Sequence, residues 1–160
     1  MTNLMNVMGR IVFWLSWPAL HVILHFGFRT RVLIIAKGEV LLVKDVIGSG
    51  KWSLPGGGVR HGEAPLDGAI REVYEETGIR LKPAQLTDCG SHTGHNNDKH
   101  HYRYQLYTVT LPDQPATKRQ RKELSALEWR PLAWAAQDPS VGKVAREIIT
   151  AWSPPDALLQ

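Results

Sequence analysis

The chain has a single cysteine, Cys89, so no internal disulfide can form. That fits a reducing compartment or a fold that needs no cross-link. No zinc-type CxxC pair and no internal repeat occurs along the 160 residues. Low-complexity tracts are absent too, and tryptophans and β-branched residues run from end to end, which excludes a disordered chain. What is present, 43% hydrophobic residues at this length, suits one domain with a real core. The formal net charge of +4 favours anionic partners. Phosphate-bearing small molecules satisfy that preference as well as nucleic acid does.

One stretch lacks formal charge altogether. From Ile11 to Phe28, "IVFWLSWPALHVILHFGF", there is no Lys, Arg, Asp or Glu, while Arg10, Arg29 and Arg31 flank the run. As a helix it would reach about 27 Å, only just a bilayer core. Pro18 sits in its middle, His21 and His25 lie one helical turn apart, and no small-residue cleavage site of a signal peptide follows. Three readings are open: a helix packed on the domain or on a partner in a homodimer, a membrane-surface helix with its tryptophans at the interface, or a transmembrane anchor. The expected division is an apolar helical segment over 1–28, a folded domain over 29–153 and a tail over 154–160. The domain is expected in the cytoplasm, with any membrane surface contact made through residues 11–28.

"RVLIIAKGEVLLVKDV" (31–46) predicts two apolar strands joined at Lys37-Gly38-Glu39. "IGSGKWSLPGGGVRHGEA" is dense in glycine and proline and predicts an irregular loop. From Pro65 the period changes, and Leu66, Ala69, Ile70 and Val73 recur at helical spacing. Pro65 suits the first turn and Gly78 the C-terminal stop. "LTDCGSHTGHNNDKHH" predicts a short strand entering a long polar loop, and "YRYQLYTVTL" (102–111) a strand. "LSALEWRPL" predicts a last strand and "PSVGKVAREIITAW" a terminal amphipathic helix. Together these elements predict an α/β domain with a mixed sheet.

Within the predicted helix, "REVYEETGIR" places Glu72, Glu75 and Glu76 three and four residues apart, on one face. Like charges this close repel, so either water screens them or cations sit between them. A solvated face usually carries lysines at four-residue spacing; here only Arg71 does so, opposite Glu75. Clustered hard oxygen donors are what Mg²⁺ or Mn²⁺ requires. Just upstream, "PGGGVRHGE" offers glycine backbone that can lend a carbonyl or approach a phosphate closely.

Gly57, five residues, Glu63, seven residues, then "REVYEETGI" (71–79) reproduces without gaps a known signature. It resembles the box of the Nudix hydrolases. Seven fixed residues at roughly 6% usage each have a chance probability of about 10⁻⁹ per starting position. The box covers Gly57 to Ile79, and its flanks also look like the family: Trp52-Ser-Leu-Pro55 before it and "KELSALEWRPLAW" late in the chain.

The resemblance implies an α/β/α sandwich around a mixed sheet. It implies Mg²⁺-dependent (or Mn²⁺-dependent) cleavage of a pyrophosphate bond in a nucleoside diphosphate derivative, a small-molecule partner. By motif position, Glu72, Glu75 and Glu76 would be metal-binding carboxylates, with the Gly57 carbonyl a further ligand. Arg71 would orient the glutamates, and Glu63 would support or join the metal. Glu72 is the first candidate for the general base, and Glu123 the second. Gly56, Gly58, His95 and Trp52 are candidate substrate contacts, although Trp52 also suits plain core packing.

The histidines of "HTGHNNDKHH" (92–101) admit three readings: polar surface, zinc, or a loop overhanging the cleft. "TKRQRKE" (117–123) is a solvated connection in its plainest reading, and its aromatics are too sparse for an RNA platform. Nucleic acid is therefore not the expected partner. Two competing functions stand beside the enzyme: a membrane-associated hydrolase of a lipid-linked diphosphate, and a non-catalytic nucleotide-binding module.

Overall fold

Successive side chains of a strand point to opposite faces, so a strand apolar on both faces must lie between two covering layers. The strand β1 (Arg29–Ala36) meets that condition. Leu33 and Ile35 enter one core cluster, while Val32, Ile34 and Ala36 enter another. A computed structural model of the chain, describing residues 28–46, 49–95, 101–119 and 124–152, places β1 in the middle of a mixed six-stranded sheet.

From β1 the chain turns through Lys37 and Gly38, both at positive φ, into β2 (Glu39–Asp45). The predicted hairpin forms, with Ile35 opposite Val40 and Ala36 opposite Glu39. Its other neighbours come from far along the chain. β5 (His101–Leu111) runs parallel to β1 from the Arg29–Tyr104 pair to the Ala36–Leu111 pair, and β4 (Thr87–His95) lies antiparallel on β5. A two-residue strand β3 (Trp52–Ser53), inside the stretch expected to be irregular, pairs with Val43 and Lys44, and β6 (Leu124–Pro131) pairs along β2.

The helix α1 (Pro65–Thr77) covers one face, anchored by Ala69 and Val73. It begins at a proline, whose missing N–H is no loss in a first turn, and stops at Gly78, whose φ of 77° suits glycine. The short helix α2 (Leu132–Ala135) and α3 (Lys143–Ala151) cover the other face, with Ala145, Ile148 and Ile149 packed on Leu33, Leu106 and Tyr104. Helices therefore flank the sheet on both sides, as the α/β/α expectation had it.

Three local expectations needed adjustment. β4 is nine residues long rather than short, because pairing with β5 extends it; β3 and α2 have too few residues to show a period. Trp129 and Trp134 are both expected in the core between the last strand and the last helix; Trp134 packs with the α3 layer, but Trp129 packs on the α1 side. No helix among the described residues is long and apolar enough to cross a membrane. The apolar run up to residue 27, Glu123 and residues 153–160 lie outside the described residues, and so do the anchor, dimer and membrane-surface readings that depend on the first.

Candidate functional site

The acidic face of α1 is not a solvated one. Glu72 and Glu76 are only 4% and 6% exposed, beneath the loop that joins β3 to α1. Two glycines allow that cover. Gly56 has a φ of 136°, and a Cβ there would fall 2.3 Å from the Thr30 carbonyl oxygen. At Gly57 a Cβ would lie 2.5 Å from the Glu72 carboxyl carbon. The loop crosses the start of β1 and is stitched there: Thr30 N–H donates to the Gly57 carbonyl at 2.8 Å and Val32 N–H to the Pro55 carbonyl at 2.9 Å. The Gly56 N–H in turn donates to Glu76 Oε2 at 3.0 Å.

Arg71 organises the carboxylates. Its Nε and Nη2 donate to the two oxygens of Glu63 at 2.7 and 2.8 Å, a bidentate pair. Nη1 donates to Glu72 Oε1 at 2.6 Å, Nη2 also reaches the Gly58 carbonyl at 3.0 Å, and Glu75 Oε2 stands 3.6 Å from Nη1. The four-residue pair with Glu75 foreseen from spacing is thus the loosest of its contacts. Bonds from Arg71, then from the Arg60 N–H, pull the Glu63 pKa from its ordinary 4.5 down to about 2. Glu63 in turn holds Arg71 well above the usual arginine range. Arg60, which sequence spacing did not single out, donates through Nη2 to Glu75 Oε1 at 3.2 Å while 64% exposed.

Among the described residues no three His, Cys, Asp or Glu side chains already converge on one ion position. The three glutamates instead meet protein donors: Glu72 meets Arg71, Glu75 meets Arg60, and Glu76 meets the Gly56 N–H. Their chemistry nonetheless fits a hard divalent cation, being several carboxylates on adjacent helical turns behind backbone that carries no side chain. The exposed Arg60 is the donor best able to swing aside.

The remaining candidates scatter. Trp52 is buried in the core beneath α3's layer, with Lys44 Nζ 5.7 Å from its ring centroid. Gly58 touches the site through its carbonyl alone. His92 lies on β4 and stacks on Tyr104 at 5.6 Å, and His101 begins β5; the His95 side chain and His100 lie outside the described residues.

On the face opposite α1, an open cleft of about 800 Å³ runs between β4, β5 and α3, lined by Leu33, His92, Tyr104, Glu147 and Trp152 among others. Its Tyr104 end lies near the glycine loop, because Tyr104 pairs with Arg29 and Arg29 with Gly58. Neither the cleft nor Arg29 and Arg31 was legible as part of a site. The only sequence signal was an Arg-x-Arg alternation opening a strand, which places both guanidinium stems on one face.

Comparison with known proteins agrees with this fold. The NUDIX domain model matches residues 27–152. An RNA pyrophosphohydrolase from Psychrobacter sp. is 44% identical over 63 residues, 38% of this chain and 36% of that protein. Diphosphoinositol polyphosphate phosphohydrolase 3-beta from Homo sapiens is 34% identical over 92 residues, 54% of each chain. The chain therefore spans about half the length, or less, of these curated relatives. Among solved structures, a MutT NUDIX hydrolase from Burkholderia pseudomallei superposes with a TM-score of 0.68 at 21% identity, covering 79% of this chain and 98% of that one. The NUDIX domain of Shewanella oneidensis NrtR, complexed with ADP ribose, does so with a TM-score of 0.68 at 19% identity, covering 78% and 84%. At such identities these structures establish the shared fold. The complete box, the two-sided sandwich and the family match converge, and this chain belongs to the NUDIX domain family.

Proposed function

We propose that the chain is a pyrophosphohydrolase, cleaving a phosphoanhydride in a nucleotide or nucleoside-diphosphate compound with bound Mg²⁺ or Mn²⁺. The observation that carries this reading is the burial of Glu72 and Glu76 under a loop whose glycine leaves no side chain between backbone and carboxylate. Burial of ionised carboxylates is costly unless they are compensated, and an acidic face kept this dry has no role as a solvated surface.

Glu72, Glu75 and Glu76 would hold the metal, with the Gly57 carbonyl beside them. A divalent ion held there would supply charge neutralisation for the pyrophosphate and acidify a water. The chain's own residues do the rest. Arg71 fixes Glu72 through one oxygen and Glu63 through two, so the helix face keeps its shape while it holds concentrated negative charge. Glu72 accepts the proton of the attacking water, and Glu123 is the alternative acceptor. The cleft beside Tyr104 and His92 receives the group that departs with one phosphate.

The names of the relatives support the reaction more than a leaving group. One acts on RNA and another on a diphosphoinositol polyphosphate, and both names describe hydrolysis at a phosphate linkage. Release of phosphate or nucleotide from a substrate panel, with Mg²⁺ and then Mn²⁺, tests the proposal. Glu76→Gln should lower turnover by at least about a hundredfold in a folded protein. Undiminished turnover in that variant overturns the assignment.

A further inference from the structure

Arg29 and Arg31 stand two residues apart on β1, so their side chains leave the same face of the sheet. It is the face of Leu33, which lines the open cleft. Both are half-buried at the end of the sheet crossed by the glycine loop, where Arg29 bridges to Gly58 and Arg31 Nη1 donates to the Gly56 carbonyl at 3.1 Å. Gly56 is thus held from two sides, its N–H by Glu76 and its carbonyl by Arg31. A single residue separates the candidate metal carboxylates from this basic pair.

The pair differs from Arg71 in what meets it. Arg71 is saturated by Glu63, Glu72 and the Gly58 carbonyl. Among the described residues, neither Arg29 nor Arg31 forms an ion pair with a carboxylate, and the Arg29 side chain makes no hydrogen bond. Burial, then repulsion from Arg31, pushes the Arg29 guanidinium below the usual arginine range, with Tyr102, Asp45 and Glu72 opposing weakly. Two partly desolvated cations side by side are costly without an anion to share. Guanidinium forks match phosphate oxygens in pairs, and a doubly charged group answers both at once.

We infer that Arg29 and Arg31 form a subsite for a phosphate that the reaction leaves intact, so the preferred substrate carries at least one phosphate beyond the diphosphate being split. The inference rests on the proposed hydrolase reading for the word substrate, while the subsite itself is testable without turnover. A ribose-linked diphosphate with no further phosphate would leave the pair unfilled.

The first measurement titrates inorganic phosphate into the full chain in the presence of a chelator, by calorimetry and by ³¹P line broadening. Wild type and Glu76→Gln should take it up alike, whereas Arg29→Gln and Arg31→Gln should bind at least about tenfold more weakly. Arg31→Lys should recover part of the loss, since charge remains while the fork is gone. The second compares kinetics on a nucleoside triphosphate and on ADP-ribose. Arg31→Gln should raise KM for the triphosphate at least about tenfold, with kcat within about threefold and the ADP-ribose KM unmoved. Equal phosphate uptake by wild type, Arg29→Gln and Arg31→Gln, or no uptake by wild type, overturns the subsite. An equal KM rise on both substrates also overturns it, by showing that Arg31 merely props the loop. Inactivity on all substrates with selective phosphate uptake intact would instead fell the hydrolase reading and spare the subsite.

Discussion

Two arginines a few residues from the same loop live in opposite circumstances. Arg71 spends its donors on Glu63, Glu72 and a backbone carbonyl, and each partner is fixed in turn. Arg29, also half-buried, meets no carboxylate among the described residues, and burial lowers its pKa below the usual arginine range. The contrast separates two uses of buried charge. A cation paired inside the chain holds shape, whereas one that forms no ion pair beside the loop is available to a ligand.

Removing each arginine is the most direct way to break that comparison. Arg71→Met should destabilise by about 2–3 kcal/mol, somewhat below the roughly 3–5 typical of a fully buried pair, because it strands Glu63 and Glu72. Thermal melting checks it, and an unchanged melting point would show that the network does not hold the box together. Gly57→Ala comes next. The new methyl would stand on the Glu72 carboxyl group, so kcat/KM should fall about a hundredfold, equivalent to ~2.7 kcal/mol, with the core cluster intact by circular dichroism.

Acid sharpens the comparison further. The Glu63 pKa is depressed, so its stabilising contribution is complete above 4.5 and disappears as pH falls toward about 2. Glu63→Gln should therefore be less stable than wild type at neutral pH and show a flatter stability profile across that window, by urea unfolding at a series of pH values. Arg29→Met should leave stability unchanged or raise it by up to about 1 kcal/mol, the reverse of Arg71→Met. Smallest of all is Arg60→Gln. Its exposed pair with Glu75 should be worth no more than about 0.5 kcal/mol, read as a melting shift that fades with added salt.

How much of this was legible in the chain follows from range. The helix over Pro65–Thr77, its stop at Gly78 and the Lys37-Gly38 turn were readable because period, proline and glycine act on neighbouring residues. The box glutamates were readable for the same reason, since helical offsets alone put them on one face. Their burial was not, because it depends on a loop folded over them from before the helix. Likewise β3 and the full length of β4 exist only through their partners, Val43 and Lys44 for the one and β5 for the other.

By itself, then, the order of residues determined an acid-bearing helix behind a glycine loop, a hairpin and an alternating strand, all governed by contacts within a few positions. Tertiary structure decided that β1 lies parallel to β5, that a cleft opens beneath α3, and that Arg29 and Arg31 reach the loop without a carboxylate to meet them. Those features arise where segments distant in sequence share one sheet, and no local periodicity records which segment will become whose neighbour.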